Sequence, residues 1–176
     1  MASDLDCFAD ARKAGHDDIN MDLIAGLPGD TVEGFEKSLS TAISLSPENI
    51  TVHTLTLKRA SNLVIGSAAA DYGDVAAMLE KCNALSEAGY RPYYLYRQKN
   101  MSGNFENTGY ARPGKYGLYN ILIMEEKQTI VALGAGSITK RVFPDGRIER
   151  CDNVKDVGLY IEKIDEMIKR KRELFT

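Results

Sequence analysis

The stretch that decides the fold is Ile19-Asn20-Met21-Asp22-Leu23-Ile24-Ala25-Gly26-Leu27-Pro28-Gly29. Its first seven residues are apolar apart from two, which is typical of a buried strand, and the Gly-Leu-Pro-Gly that follows ends the strand in a turn. Alternate side chains of a strand share a face, so Asn20, Asp22 and Ile24 point to one side of the sheet. Because a buried carboxylate needs a partner, Asp22 either binds a ligand or hydrogen-bonds a neighbouring loop.

The segments around this strand predict a βαβ unit. Residues 5–15 show helical spacing and end at a glycine, which predicts a helix before the strand. After the turn, with Asp30 or Thr31 as the cap, apolar residues recur every three or four positions in an amphipathic helix that stops before Pro47. Residues 49–57 predict a second strand. Strands joined in this way pair in parallel, and their ligands gather at the carboxyl ends of the strands.

The rest of the chain is predicted to be richer in antiparallel strands. We expect a small-residue linker at residues 58–72, a helix at 74–89 and a tyrosine-rich extended segment at 90–100. Two hairpins at 121–133 and 138–150 and a final helix from 153 onward are expected to follow. The turn Pro144-Asp145-Gly146 makes the second hairpin the stronger prediction. The fold class is therefore α/β (α+β), with two regions at residues 1–72 and 73–176.

Composition excludes several classes of protein. The chain has 176 residues, 44% apolar and 27% charged, with a formal net charge of -3. These values indicate a folded chain with no basic surface for nucleic acid, and no apolar run is long enough for a membrane helix. We therefore expect a cytoplasmic protein without nucleic-acid or membrane partners. The three cysteines, at positions 7, 82 and 151, are too scattered for a disulfide framework or a metal loop and predict reduced thiols.

Other polar residues allow more than one interpretation. His16 and His53 are the only histidines, and a lone histidine is more often a satisfied polar group than a metal ligand, so no metal site is predicted. Residues 100–110 supply many neutral hydrogen-bonding groups beside Arg97 and Gln98, a composition that suits an anionic organic ligand or an ordinary polar loop. Residues 134–137, Gly-Ala-Gly-Ser, indicate close approach of the backbone to a packed element or to a ligand.

Taken together, four segments resemble the radical S-adenosylmethionine enzymes of the oxygen-independent coproporphyrinogen III oxidase family. Residues 19–29 and 49–57 look like the fifth and sixth strands of the family's barrel, and residues 107–110 and 133–137 look like two motifs at its substrate end. Residues 96–107 are most similar to the coproporphyrinogen dehydrogenase, HemZ-like branch. The resemblance implies the last βαβ portion of a partial TIM-like barrel, followed by an antiparallel hairpin region and a C-terminal helix.

The resemblance also implies a reaction and a set of binding residues. In such enzymes a 4Fe-4S cluster cleaves S-adenosylmethionine to a radical, which starts the oxidative decarboxylation of a propionate to a vinyl group in porphyrin synthesis. Asp22 matches an acidic residue that contacts S-adenosylmethionine, Ile24 an apolar neighbour of the adenine, and Thr56 a residue lining that pocket. The side of the substrate or of a second ligand corresponds to Arg97, Gln98, Asn107, Thr108 and Ile138.

One departure from the family pattern shapes the expected function. The chain has no CxxxCxxC loop for the cluster and begins at what looks like the helix before strand five. We therefore expect the C-terminal part of a radical enzyme, inactive alone, with no catalytic residue of its own. Its partners would be a tetrapyrrole substrate, the N-terminal half of the barrel and a reductant. The alternatives are a haem- or porphyrin-binding module without catalysis, and a structural fragment that self-associates through an exposed sheet edge.

Overall fold

A computed structural model describes residues 3–55, 72–96 and 105–176 of the chain. It divides into two compact units, Met1–Gly117 and Leu118–Thr176, which are described separately below. The predicted division into residues 1–72 and 73–176 follows the regions of the resembling family, whereas these two units are defined by compactness. The predicted division stays a prediction. The linker predicted at residues 58–72 lies almost wholly outside the described residues.

The first unit alternates helices and strands in chain order. Its elements are α1 (Asp4–Lys13), β1 (Asn20–Ala25), α2 (Val32–Leu45), β2 (Asn49–Thr54), α3 (Tyr72–Lys81), α4 (Asn83–Glu87), β3 (Arg91–Tyr96) and β4 (Asn107–Ala111). The strands form one sheet in the order β1-β2-β4-β3. The β1 and β2 strands pair in parallel, while β4 runs antiparallel to both β2 and β3. The predicted βαβ unit is confirmed, and an antiparallel pair extends it on the β2 side.

Local sequence explains where α2 begins and ends. The Thr31 hydroxyl accepts a hydrogen bond from the Gly34 amide at 3.0 Å, so Thr31, and not Asp30, is the cap. At the other end, Ser46 adopts a left-handed conformation with φ 54°, and Pro47 follows it without an amide hydrogen to continue the helix. The loop that returns the chain to β2 therefore starts at a fixed residue.

The hydrophobic core lies between the sheet and its helices. Phe35, Leu39 and Ala42 of α2 are buried against Ile50 and Val52 of β2. Helices α3 and α4, with Cys82 between them, add further buried side chains to the same cluster, namely Val75, Met78, Cys82 and Leu85. Fully burying aliphatic or aromatic side chains of this size stabilises a fold by about 1.5–3 kcal/mol each. One face of the sheet therefore packs against the hydrophobic core.

An ion pair ties α1 to the start of β2. Arg12 contacts the Glu48 carboxylate at 2.9 Å, and the Ile19 amide donates to the same carboxylate at 2.9 Å. Burial raises the pKa of Glu48, but the Ile19 amide and the Arg12 guanidinium outweigh it, and the pKa ends below its usual value. Since β1 starts directly after Ile19, this contact sets where the first strand enters the sheet.

The second unit contains one correction to the sequence analysis. Its elements are α5 (Leu118–Met124), β5 (Ile138–Val142), β6 (Ile148–Asp152), α6 (Val157–Glu162) and α7 (Ile164–Phe175). The predicted second hairpin is confirmed as β5–β6. The predicted first hairpin is wrong, because its first strand lies in α5 and its second is reduced to a single bridge between Ile130 and Lys140. An apolar run this short fits either structure by pattern alone.

The predicted final helix is interrupted. Asp156 caps α6 by accepting a hydrogen bond from the Leu159 amide at 2.9 Å, and the helical path breaks at Lys163 before α7 begins. Among the described residues, no helix combines the length and the apolar character needed to cross a bilayer.

Candidate functional site

The open face of the sheet in the first unit carries the predicted polar side chains. The register pairs Asp22 with Thr51 and Ile24 with His53, so these four side chains share one face. Met21 and Leu23 alternate with them and pack against the core on the other face. On the open face, the Asp22 side chain is 59% exposed and Ile24 is 40% exposed. An exposed carboxylate beside an exposed apolar side chain is a surface suited to an amphipathic ligand.

Asp22 is held by a short network of polar contacts. The Asn20 side-chain amide donates to Asp22 Oδ1 at 2.6 Å, and His53 Nε2 lies 3.7 Å from the same oxygen. The Thr51 hydroxyl in turn donates to Asn20 Oδ1 at 3.0 Å. The polar contact with His53 is the main cause that lowers the pKa of Asp22, against partial burial and together with the Asn20 amide. The carboxylate is therefore ionised at neutral pH.

Tyrosines from β3 cover the neighbouring part of the open face. Tyr94 pairs with Gly109, and a bulge between Pro92 and Tyr94 interrupts the ladder there. A Cβ atom at Gly109 would lie 2.0 Å from Tyr94 Cε1, so the ring lies directly over the glycine. Tyr94 stacks on Tyr96 with ring centroids 6.4 Å apart. Burial raises the pKa of Tyr94, which keeps the phenol neutral.

Tyr93 and Tyr116 extend this aromatic group. The rings of Tyr93 and Tyr94 meet edge to face at 4.9 Å, and Tyr93 lies 5.7 Å from Tyr116. Tyr116 is 44% exposed. We call these four residues, Tyr93, Tyr94, Tyr96 and Tyr116, the tyrosine cluster. The sequence predicted the tyrosines of β3 as part of an extended segment. Gly109 in β4, which leaves room for the Tyr94 ring, was the signal that could have placed them on the open face.

Asn107 and Thr108, adjacent in β4, are placed differently. Asn107 is buried, and its Oδ1 accepts a hydrogen bond from the Thr54 amide at 2.7 Å, where it replaces a backbone carbonyl at the end of the ladder. Its Nδ2 has no hydrogen-bond partner among the described residues. Thr108 pairs with Val52 and therefore lies on the core side, where it lines a cavity of about 330 Å³ with Cys82. The structure does not bring Thr108 to Asp22.

The other predicted residues lie elsewhere. Thr56, Arg97 and Gln98 are outside the described residues. Ile138 belongs to the second unit, where it starts β5 and is 49% exposed. The Gly-rich loop that precedes it is held by Asn153, whose Nδ2 donates to the Gly134 carbonyl at 2.8 Å. Close approach to a packed element therefore accounts for at least part of that loop.

The cysteines do not suit an iron-sulfur cluster. Cys7 is exposed on α1, whereas Cys82 and Cys151 are buried in different units. Burial raises the pKa of Cys82 to about 11, so it stays a thiol at neutral pH. No three His, Cys, Asp or Glu side chains in the described ranges are grouped as metal ligands. Asp22 and Ile24, in contrast, place an ionised acceptor beside an exposed apolar side chain.

The sequence and fold of this chain are similar to those of known proteins. No family model matches the chain. The oxygen-independent coproporphyrinogen-III oxidase-like protein HemZ of Bacillus subtilis is 46% identical over 174 residues, which cover 94% of this chain. The chain belongs to the oxygen-independent coproporphyrinogen III oxidase-like family. It spans only 35% of HemZ and corresponds to the C-terminal part.

Two further relatives extend the comparison. The heme chaperone HemW of Escherichia coli is 30% identical over 135 residues, covering 74% of this chain and 32% of HemW. The solved structure of coproporphyrinogen III oxidase (HemN) from Escherichia coli, described as a radical SAM enzyme, matches with a TM-score of 0.67. That match covers 94% of this chain and 39% of HemN at 19% identity, and it confirms the fold class.

Sequence analysis missed one contact of the site. It treated His53 as a lone histidine, whereas the structure places its imidazole beside Asp22. Both residues lie on the same face of adjacent parallel strands, and that shared face was the available signal.

Proposed function

We propose that this chain forms one wall of the S-adenosylmethionine pocket in a radical enzyme of the coproporphyrinogen oxidase-like type. The observation that carries the proposal is the ionised Asp22 carboxylate, which is exposed on the open face of a sheet whose other face packs against the hydrophobic core. The 46% identity to HemZ supports the choice of family. Activity would require the longer protein, because the cysteines of this chain are not arranged as cluster ligands.

The residues of the open face have distinct roles in this proposal. The contacts from Asn20 and His53 are made at Oδ1 of Asp22. In this proposal the exposed carboxylate accepts hydrogen bonds from the amine or hydroxyls of the cofactor. Ile24, one pleat further along β1, provides an apolar contact for the adenine. When bound beside the cluster, the cofactor would supply the radical that removes hydrogen from the substrate. Asp22 and Ile24 bind and orient the cofactor.

A tetrapyrrole is the proposed substrate. The family resemblance assigns Arg97, Gln98, Asn107, Thr108 and Ile138 to the side of the substrate or of a second ligand. Asn107 is the described residue that best supports the assignment, because its Nδ2 is a buried donor without a partner among the described residues. The placement of Thr108 in the core favours a packing role for that side chain instead.

The proposed partner within the longer protein is the rest of the barrel. In the sheet, β1 is bonded only to β2, and its other edge has no strand among the described residues. A groove of about 770 Å³ between α1, β1 and α2 lies along this strand, lined by apolar side chains that include Leu5, Phe8 and Leu23. An added parallel strand with its helix would cover both. If the edge instead drives self-association, sedimentation would show concentration-dependent oligomers.

Binding of S-adenosylmethionine to the purified chain tests the cofactor role. Calorimetric titration of the wild type should give saturable binding, and Asp22→Asn should weaken it roughly 10- to 100-fold, because a hydrogen bond to a charged group is worth about 1.5–3 kcal/mol. Asp10→Asn is the matched control, since Asp10 is an exposed carboxylate on α1 and should leave the affinity unchanged. Absence of wild-type binding at millimolar concentration, or equal affinity in Asp22→Asn, would contradict the proposal.

The expected lack of activity has its own test. After anaerobic treatment with iron and sulfide, the chain should hold no stoichiometric four-iron cluster and should not cleave S-adenosylmethionine. A cluster-dependent yield of 5′-deoxyadenosine from this chain alone would overturn that expectation.

A second candidate function is haem or porphyrin binding without catalysis. It is favoured by the likeness to the heme chaperone HemW and by the partly exposed tyrosine cluster, which offers aromatic rings for stacking against a planar ligand. Titration with haemin should then shift the Soret band in a saturable way, and Tyr116→Ala should weaken the effect. Unchanged absorbance would exclude this candidate.

A further inference from the structure

We infer that His53 is a positioning residue for Asp22: it fixes one carboxylate oxygen so that the other faces the ligand. The inference rests on the proposed function for the identity of the ligand, but the contact itself is a property of the ligand-free chain. It follows from the register of two strands and from three side-chain contacts.

The register brings the two groups together. Asp22 is paired with Thr51, and His53 is the next residue of β2 on the same face, towards the carboxyl end of the strand. The imidazole therefore lies diagonally across from Asp22, and Nε2 comes within 3.7 Å of Oδ1. The His53 side chain is only 28% exposed, so the sheet restricts its rotation more than that of Asp22. The less mobile group thus orients the more exposed one.

Asn20 anchors the same oxygen from the opposite direction. Its side-chain amide has a defined orientation, because Asn20 Oδ1 accepts the Thr51 hydroxyl and Nδ2 must then turn to Asp22. The Asn20 amide and the His53 imidazole, from two neighbouring strands, therefore both lie against Oδ1. Rotation of the carboxylate would break both contacts, so the proposal assigns the ligand to Oδ2.

Charge on the open face supports the same role. The titratable groups that face Asp22 are His53 from β2 and Tyr94 from β3. Burial raises the pKa of Tyr94, so the phenol is neutral when Asp22 is charged. The contact with His53 is the largest cause that lowers the pKa of Asp22. Removing the imidazole should therefore both loosen the carboxylate and make it easier to protonate.

The test has a ligand-free and a ligand-bound arm. In the first, the side-chain carboxyl carbon of Asp22 is titrated by NMR in the wild type, in His53→Asn and in His53→Gln. We expect a higher titration midpoint in His53→Asn and a partial return in His53→Gln, whose amide nitrogen lies at a similar reach. His16→Asn is the control, because His16 is the other histidine and makes no contact with Asp22 among the described residues. A midpoint unchanged in His53→Asn would overturn the inference.

In the second arm, S-adenosylmethionine is titrated into the same variants. His53→Asn should bind roughly tenfold more weakly, and the difference from the wild type should grow as the pH falls into the range where Asp22 of the variant takes up a proton. A merely structural role would not change the affinity in this pH-dependent way. Equal affinity in His53→Asn and the wild type at all pH values would contradict the inference.

The two arms separate failure of this inference from failure of the proposed function. If the wild type does not bind S-adenosylmethionine but the Asp22 midpoint moves in His53→Asn, the positioning role stands and the cofactor assignment fails. If the wild type binds and the midpoint does not move, the cofactor assignment stands and His53 is not the positioning residue.

Discussion

Replacing Gly109 by alanine should disturb the open face, because the added methyl group has no room beside Tyr94. A Cβ atom at this position would lie 2.0, 2.5 and 2.8 Å from three ring atoms of Tyr94. Carbon atoms in contact are normally about 3.5–4.0 Å apart, so the ring would have to move by about 1.5–2 Å. Tyr94 stacks on Tyr96, and a shift of that size breaks the stacking geometry.

The expected loss of stability depends on how far the Tyr94 ring can move. Overpacking a well-filled site typically costs about 1–3 kcal/mol, and Tyr94 lies on a face where the ring can turn outward, so we expect the lower half of that range. About 1–2 kcal/mol corresponds to a fall of roughly 2–8 °C in melting temperature for a chain of this size. The near-UV circular dichroism of the tyrosine cluster should weaken in parallel.

Urea denaturation followed by circular dichroism measures the effect. The decisive comparison is a double-mutant cycle, because in the Tyr94→Ala background the added methyl group meets open space and should cost less than about 0.5 kcal/mol. Gly109→Ala in the wild-type background with no change in stability or in near-UV signal would refute the geometry. An equal cost in both backgrounds would place the strain in the β4 backbone instead of the ring.

Three further predictions concern buried groups. Asn107→Ala should lower the free energy of unfolding by about 1–3 kcal/mol in urea denaturation, because it leaves the buried Thr54 amide without its acceptor, whereas exposed Asn83→Ala should change it by less than about 0.5 kcal/mol. Tyr90→Phe should cost about 1 kcal/mol, since the phenol donates to a buried carbonyl at 2.6 Å. Burial raises the pKa of Tyr90 in the folded chain. The neutral phenol therefore contributes its full stability below the ordinary pKa of tyrosine, and this contribution is lost as the pH rises through the raised pKa. The phenylalanine variant should not show this loss of stability at alkaline pH. Iodoacetamide at neutral pH should label Cys7 alone in the folded chain by mass spectrometry, and rapid labelling of either buried thiol would contradict the structure.

Much of the first unit could be predicted because its signals are local. The period of apolar residues in α2 and the alternation in β1 are properties of short segments, and both predicted the observed elements. The polar face of β1 followed from the same alternation. Residues 118–124 were misassigned because seven mostly apolar residues satisfy either a strand or a helix, and their tertiary surroundings decide between them.

The site itself depends on contacts between residues that are far apart in the sequence. The approach of His53 to Asp22 requires the register between β1 and β2, and the tyrosine cluster requires β4 to lie between β2 and β3. Alternation alone puts Thr108 and Asn107 on opposite faces, but it does not say which of the two faces is open. That choice is set by α2, α3 and α4, which in the described part of the chain pack on the core face.

The two outer strands of the sheet differ in how well they resist further pairing. The outer strand β3 carries Pro92 and a bulge, two devices that discourage an incoming strand. The other outer strand, β1, has no proline, lysine or bulge over its six residues. In a cell, a chain released with this edge uncovered would be a substrate for chaperones and for aggregation. Expression of the remaining barrel strands on a separate polypeptide should therefore raise the soluble yield of this one.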